Sequence, residues 1–187
     1  QFGWGAVCVR GFIPPLAFLE FQSHSVLPIA ADMRTLEHII YTPAPDIVHE
    51  AAGHAPIIAD PEYRAYLEQY ARIARKAIYS NEDVRLYEAI RALSDNKENP
   101  DVTPAEIAHS EQDLQKAVQG ITWDSEASRV ARMYWWTAEY GLIGPLDAPL
   151  IYGAGLLSSL GESRSCYDAS VKKVPLKIEC ADMSYDI

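Results

Sequence analysis

Tyr41-Thr-Pro-Ala-Pro-Asp-Ile-Val-His-Glu-Ala-Ala-Gly-His-Ala-Pro56 places two histidines five residues apart, with Glu50 directly after the first. Pro43 and Pro45 stiffen the approach and Asp46 can cap free amides, which predicts a short helix opening near Asp46 and carrying His49 and Glu50. Neutral imidazole is the commonest metal-binding side chain. Five residues of regular α-helix rotate roughly 500°, which would leave the two rings about 140° apart around the axis. Gly53, just before His54, can end or distort the helix so that both rings converge, and Pro56 opposes its normal continuation. A histidine pair also fits a satisfied helix end or plain surface. The zinc-protease pattern H-E-x-x-H needs a spacing of four, and this chain has five.

Downstream, Asp60-Pro61 opens a helix whose Tyr63, Tyr66, Leu67, Tyr70, Ala74, Ala77 and Ile78 recur at three- and four-residue spacing, one buried stripe. Ser80 with Asp83 predicts a capping box for a third helix, with Val84, Tyr87, Ile90 and Leu93 as its inner face. The polar run Asp95-Asn-Lys-Glu-Asn-Pro-Asp101 predicts a loop. Thr103 and Glu106 restart a helix that Gly120 stops. A last long helix is expected from about Asp124 to Tyr140, ending at Gly141, with Ala127, Val130, Ala131, Tyr134, Trp135 and Ala138 inward. Tyr152-Gly-Ala-Gly155 reads as a tight turn leading into Leu156–Glu162, and Val171–Glu179 as an extended piece. Upstream, Pro14, Pro15 and Pro28 suggest loops and short extended pieces rather than long helices across the first forty residues.

Glu139 carries the second chemical signal. A carboxylate among Tyr134, Trp135, Trp136 and Tyr140, near a helix C-terminus, is costly unless a cation lies close. Arg132 as a partner, or simple exposure, would answer equally well. With His49 and His54 it makes two nitrogens and one carboxylate oxygen, the facial set of non-haem Fe(II) oxygenases; zinc held by two His and a Glu fits the same donors.

Composition sets the outer bounds. The 187 residues are 49% hydrophobic and 22% charged, ordinary for one globular domain. A net charge of -10 disfavours nucleic acid and anionic membrane as partners. Three scattered cysteines, with no C-x-x-C pair, suit a reducing cytoplasm rather than a disulfide framework. No apolar run approaches membrane-spanning length. The chain begins at Gln1, and the numbering reads as starting inside a longer protein.

Three motifs together resemble a known family. Tyr41-Thr-Pro-x-Pro-Asp-Ile-x-His-Glu-x-x-Gly-His-x-Pro56, Tyr134-Trp-Trp-Thr-Ala-Glu-Tyr-Gly-Leu142 and Tyr152-Gly-Ala-Gly-Leu-Leu-Ser-Ser-Leu-Gly-Glu162 resemble, in order, three signatures of the biopterin-dependent aromatic amino acid hydroxylases. The likeness covers roughly residues 10 to 167. It implies a mainly α, irregular helical catalytic domain with long loops and little β. It implies one such domain over 1–187, with a helical insertion at 80–121.

The resemblance implies Fe(II) held by His49, His54 and Glu139, a tetrahydrobiopterin or related tetrahydropterin, O2 and an aromatic L-amino acid. Glu50 and Glu139 are the carboxylates implied in catalysis. Arg34 and Thr42 would hold the substrate carboxylate. Pro45 and Trp135 would flank the aromatic ring, with Ser158 near the amino acid backbone. Gly11 and Phe18 match the pterin loop, and Glu50, Ala131 and Tyr134 further match the pterin site. Trp135 is the residue of relatives acting on phenylalanine or tyrosine, so the implied reaction is phenylalanine to tyrosine. A tyrosine or tryptophan hydroxylase, a non-catalytic metal-binding fragment and a zinc hydrolase are the alternatives. The sequence departs from the family at Pro14 and Pro15, at Pro28, where animal relatives carry histidine, and in the long region from Tyr79 to Ile121.

Overall fold

A computed structural model describes residues 2–40 and 44–185. Helices dominate it, joined by long irregular connections and two small two-stranded sheets, as expected. Strand β1 (Gly5–Val9) pairs in parallel with β2 (Val26–Ala30), Gly5 opposite Val26 and Val9 opposite Ala30. Parallel strands need a crossover, and helix α1 (Pro15–Ser23) supplies it. The two strands are the short extended pieces expected in the first forty residues, while the nine-residue helix between them was not expected. Pro15 sits in the first turn, where a missing N–H costs nothing, so the prolines start a helix here instead of forbidding one.

The metal-motif segment differs instructively from a regular helix. His49–His54 forms a π turn that runs straight on into a short α-helix, α2 (Ala55–Ile57). Gly53 therefore does not end the helix, and Pro56 is absorbed in the first turn of α2. A π turn closes i→i+5 hydrogen bonds, so residues five apart come round to the same face. That geometry, rather than a broken helix, aligns the two imidazoles.

Helix α3 (Pro61–Ala74) starts as expected: Asp60 accepts the backbone N–H groups of Glu62 and Tyr63, each at 2.9 Å. Its buried stripe is Tyr63, Leu67, Ala71 and Ala74. The stripe does not extend to Ile78, which lies beyond the helix end and is 71% exposed. Tyr63 and Leu67 meet Leu27, Ile58 and Ala138 in the core, with Tyr66, Tyr134 and Tyr152 packed around them. Each such fully buried apolar side chain contributes about 1.5–3 kcal/mol. The core therefore ties β2, the His49–His54 segment and the Glu139 segment to one helix.

Helices α4 (Asn81–Glu98) and α5 (Pro104–Gln119) form a hairpin, each opened by its expected capping box. The Asp95–Asp101 loop is shorter than its composition suggests, because α4 continues to Glu98. Lys97 pairs with Glu111 at 3.1 Å and Asn96 Nδ2 donates to Ser110 Oγ at 2.7 Å, which carries the helix on past Asp95. Val84, expected inward, is 45% exposed.

Helix α6 (Glu126–Tyr134) begins two residues later than Asp124, with Ser125 as its cap. Its expected last turn widens into a second π turn, Trp135–Glu139. A short antiparallel pair follows, β3 (Leu142–Ile143) and β4 (Leu150–Ile151). Helix α7 (Ala154–Ser158) begins within the segment read as a tight turn, and α8 (Glu162–Ser165) follows it. Val171–Glu179 forms no strand; it is irregular and enters a 3-10 turn at Ile178–Asp182.

Candidate metal centre and substrate cleft

The two π turns face each other, one carrying His49 and His54, the other Glu139. Glycines permit the approach. A Cβ on Gly53 would lie 2.5 Å from the Ala154 carbonyl oxygen, and one on Gly153 would collide with the Glu139 carbonyl. Gly155 lies against the Glu139 carboxylate, and a Cβ there would sit 3.3 Å from Glu139 Oε2. The Gly-Ala-Gly segment is thus required by close packing as much as by chain reversal.

The result is a compact triangle. His49 Nε2 and His54 Nε2 are 3.2 Å apart, His54 Nε2 and Glu139 Oε1 3.1 Å, and His49 Nε2 and Glu139 Oε2 3.6 Å. Donors about 2.1 Å from a shared ion stand about 3.0 Å apart at right angles and about 3.4 Å apart at tetrahedral angles; an opposed pair would be about 4.2 Å apart. No pair here is opposed. The two imidazoles and the carboxylate, which meets His54 through Oε1 and His49 through Oε2, therefore gather on one side of a shared point, and all three line the cleft. Glu50 adds a second carboxylate, with one oxygen within 4.8 Å of a nitrogen on each histidine.

The hydrogen bonds around the triangle favour a cation. His49 Nδ1 lies 2.8 Å from Ser158 Oγ, which is 2.8 Å from the Ala154 carbonyl. The tautomer with Nδ1–H donating to Ser158, and Ser158 donating onward, satisfies all three groups and leaves the Nε2 lone pair facing the triangle. Burial pushes His49 down to about 4, so it is neutral at neutral pH. His54 is fully enclosed; burial alone would depress it, but the Glu139 carboxylate outweighs that and raises it. Burial likewise opposes ionisation of Glu139, yet His54, His49 and the Gly155 N–H hold its carboxyl below the usual range. Glu139 Oε2 and Glu50 Oε2 are buried without a hydrogen-bond partner among the described residues. Arg132 does not neutralise Glu139; it pairs with Asp124 and the Ala181 carbonyl. A divalent cation is the group these donors fit.

Around the triangle runs a cleft of about 420 Å³. It brings together the other sequence-derived candidates: Gly11, Phe18, Glu50, Ala131 and Tyr134 on its walls, and Arg34, Pro45, Trp135 and Ser158 likewise. Thr42 lies outside the described residues. Phe18 packs 5.8 Å from the His54 ring and edge-on to Tyr134 at 6.2 Å. Tyr134 is fixed by Gln22 Nε2, which donates to its hydroxyl at 2.9 Å. Trp135 stacks on Tyr140 at 5.6 Å and on Tyr185 at 4.9 Å. Ser158, expected beside the substrate backbone, is hydrogen-bonded to His49. Burial raises Glu50 to about 7, so near neutral pH it can either hold a proton or accept one.

Arg34 gains a partner that the sequence pattern did not single out. Asp46 takes Arg34 Nε at 2.8 Å and Nη2 at 2.7 Å, while Arg34 Nη1 donates to the Ser158 carbonyl at 3.0 Å. Three of the five guanidinium N–H groups are thereby committed, and two remain for an anion. Asp46 does cap the His49 segment, accepting the His49 N–H at 2.9 Å, but its second task is invisible to a cap rule. Ile90, expected on the inner face of the third helix, also lines the cleft, and so does Ser94, which no sequence pattern singled out.

Known proteins share this sequence pattern and fold. Phenylalanine-4-hydroxylase of Chromobacterium violaceum is 29% identical over 168 residues, covering 90% of this chain and 42% of the relative. Two crystal structures of that species' phenylalanine hydroxylase align with the fold. One, with bound iron(III) and oxidised 7,8-dihydrobiopterin, gives a TM-score of 0.59 at 26% identity over 90% of this chain and 46% of the other. The second, with iron and phenylalanine bound, gives 0.62 at 25% identity over 99% and 51%. The chain therefore spans under half the length of that curated relative. The sequence profile of the biopterin-dependent aromatic amino acid hydroxylases matches in two overlapping stretches, residues 3–85 and 68–186. Since that match takes in nearly every residue and all three motifs, the chain belongs to the biopterin-dependent aromatic amino acid hydroxylase family.

Proposed function

We propose that this chain provides the iron- and pterin-binding centre of a monooxygenase that hydroxylates the ring of an aromatic L-amino acid, phenylalanine to tyrosine. The observation that carries it is the triangle of His49, His54 and Glu139, with separations of 3.1–3.6 Å and all three lining the cleft. The relatives with iron, dihydrobiopterin and phenylalanine bound support the same ligands here.

His49, His54 and Glu139 hold Fe(II), and Ser158 orients the His49 ring. When bound, iron and tetrahydropterin together activate O2, one oxygen atom going to the substrate ring and the other to the pterin. The protein's part is placement and exclusion of water. Arg34 offers its two remaining N–H groups to the amino acid carboxylate, with Thr42 assigned to the same group. Trp135 and Pro45 flank the aromatic ring. Gly11, Phe18, Ala131 and Tyr134 line the pterin side. Glu50 faces that side with an unpartnered Oε2, able to accept a hydrogen bond or carry a proton there. We assign the protein to the cytoplasm, in keeping with three free cysteines; no described helix is long and apolar enough to cross a membrane. The α4–α5 hairpin is assigned as an insertion within one catalytic domain.

The deciding experiment measures pterin-dependent O2 consumption and product formation with phenylalanine, tyrosine and tryptophan, alongside metal analysis. Fe(II)-dependent tyrosine formation from phenylalanine is expected, and His49→Ala should lose iron and turnover while keeping the fold. Turnover with zinc and no need for O2 would overturn the proposal, and preference for tryptophan would overturn the choice of substrate.

A further inference from the structure

We propose that helix α4 is the outer wall of the pterin subsite, with Ile90 packing against the bound pterin and the Ser94 hydroxyl hydrogen-bonding to it. The inference rests on the functional reading above and adds residues that none of the three signature motifs contains.

Tyr87, Ile90 and Ser94 fall at spacings of three and four, on one face of α4. That face meets the loop between β1 and α1. The Tyr87 ring stacks on Phe12 at 5.8 Å and 24°, and its hydroxyl donates to the Phe12 carbonyl at 2.9 Å. Next to Phe12, Gly11 has φ of +68° and presents its Cα towards Asp95, where a Cβ would lie 3.8 Å from Oδ1. Helix α4 thus braces the Gly11–Phe12 loop through Tyr87.

Past that brace, Ile90 and Ser94 line the cleft that also contains Gly11, Phe18 and Glu50. The Ser94 residue is 6% exposed, and its hydroxyl oxygen is not among the atoms shut away without a partner, so it keeps access to the cleft. A hydroxyl that opens on the cleft can donate to or accept from a polar ligand edge or an ordered water. A reduced pterin is flat, with apolar faces and a rim of donors and acceptors. Ile90 suits the former and Ser94 the latter. The wall is built on a fixed element: Ser80 and Asp83 cap the start of α4, and the Ile78 N–H just before it bonds Glu126 of α6 at 2.9 Å.

The test uses the iron-loaded protein and the non-reacting ligand 7,8-dihydrobiopterin, with dissociation constants from calorimetry. Phenylalanine affinity and iron content are measured on the same samples. Ile90→Trp, which fills the cleft, should weaken dihydrobiopterin binding by tenfold or more, and Ser94→Ala by about fivefold, the scale of one hydrogen bond. Both should leave iron content and phenylalanine affinity within about twofold. Ser94→Ala is a small change at a helical position and remains informative if the tryptophan variant fails to fold. Unchanged pterin affinity in Ser94→Ala, or a loss confined to phenylalanine, would overturn the assignment of α4. Absence of any pterin binding by the unaltered protein would instead overturn the functional reading on which it rests.

Discussion

Asp46→Asn probes the support behind Arg34. Asp46 accepts four hydrogen bonds: from Arg34 Nε and Nη2 at 2.8 and 2.7 Å, and from the backbone N–H groups of Arg34 and His49, each at 2.9 Å. Asparagine keeps the shape but has one acceptor oxygen, and its amide would turn donors towards a guanidinium that is itself only donors. Two bonds are lost, and a side chain only 7% exposed is left charged and uncompensated. Two charged hydrogen bonds at about 1.5–3 kcal/mol each give about 3–6 kcal/mol, bracketing the roughly 3–5 kcal/mol typical of a buried pair broken from one side. The expected loss is therefore about 4 kcal/mol, read by urea unfolding at pH 7. Most of it reflects the stranded cation, so the double variant Arg34→Met, Asp46→Asn should recover at least half.

The pH dependence has a definite sign. Burial alone would raise the Asp46 carboxyl, but Arg34 and the two backbone N–H groups outweigh it and hold it below the usual 3.8. The stabilisation is complete above the unfolded value and disappears as pH falls through the lower folded one. The gap between wild type and Asp46→Asn should be constant from pH 5 to 8 and shrink below 3.8. A gap under about 1 kcal/mol at pH 7, or a fully additive double variant, would refute the buried-pair reasoning.

Glu50→Gln should stabilise the metal-free, chelator-treated protein as pH rises from 4.5 to 7, because burial moves the Glu50 carboxyl up to about 7 and its ionisation opposes folding; the gain approaches 3 kcal/mol at pH 8 by urea unfolding. A difference that does not change with pH would remove that explanation. Gly53→Ala, whose methyl would meet the Ala154 carbonyl at 2.5 Å, should push α7 from the π turn and lower iron retention, checked by metal analysis after gel filtration. Ser158→Ala should weaken Fe(II) binding about 10- to 100-fold, since the Nδ1 partner of His49 fixes its tautomer and ring; equal affinity in a metal titration would show that Ser158 does not orient the ligand.

Much of the architecture was legible because it is local. Asp60, Ser80, Thr103 and Gly120 mark helix ends through bonds made within a few residues, and each mark holds. The misses share another cause. The proline pattern of the first forty residues pointed to short extended pieces, which β1 and β2 are, but not to α1; a proline at the first turn starts that helix, and the parallel pairing of β1 with β2 needs the crossover. Asp95–Glu98 reads as a turn by composition, and α5 bonds hold it helical.

By itself the sequence determined the chemistry on offer: two imidazoles, a carboxylate at Glu139, the cap residues and the apolar stripe of α3, all read from residue type and short-range spacing. Tertiary structure decided whether those groups could act together. A spacing of five puts side chains on diverging faces of a regular helix, and only the π turn, packed at Gly53 against α7, returns His49 and His54 to one side. Glu139 reaches them because Gly153 lets two backbones approach more closely than any side chain would allow, and Gly155 keeps the next contact free of a tight Cβ. The partnership of Arg34 with Asp46, and the arrival of α4 at the cleft, arise in the same way. These are contacts between distant segments, whose free energy is set by which surfaces meet, and no local pattern records that.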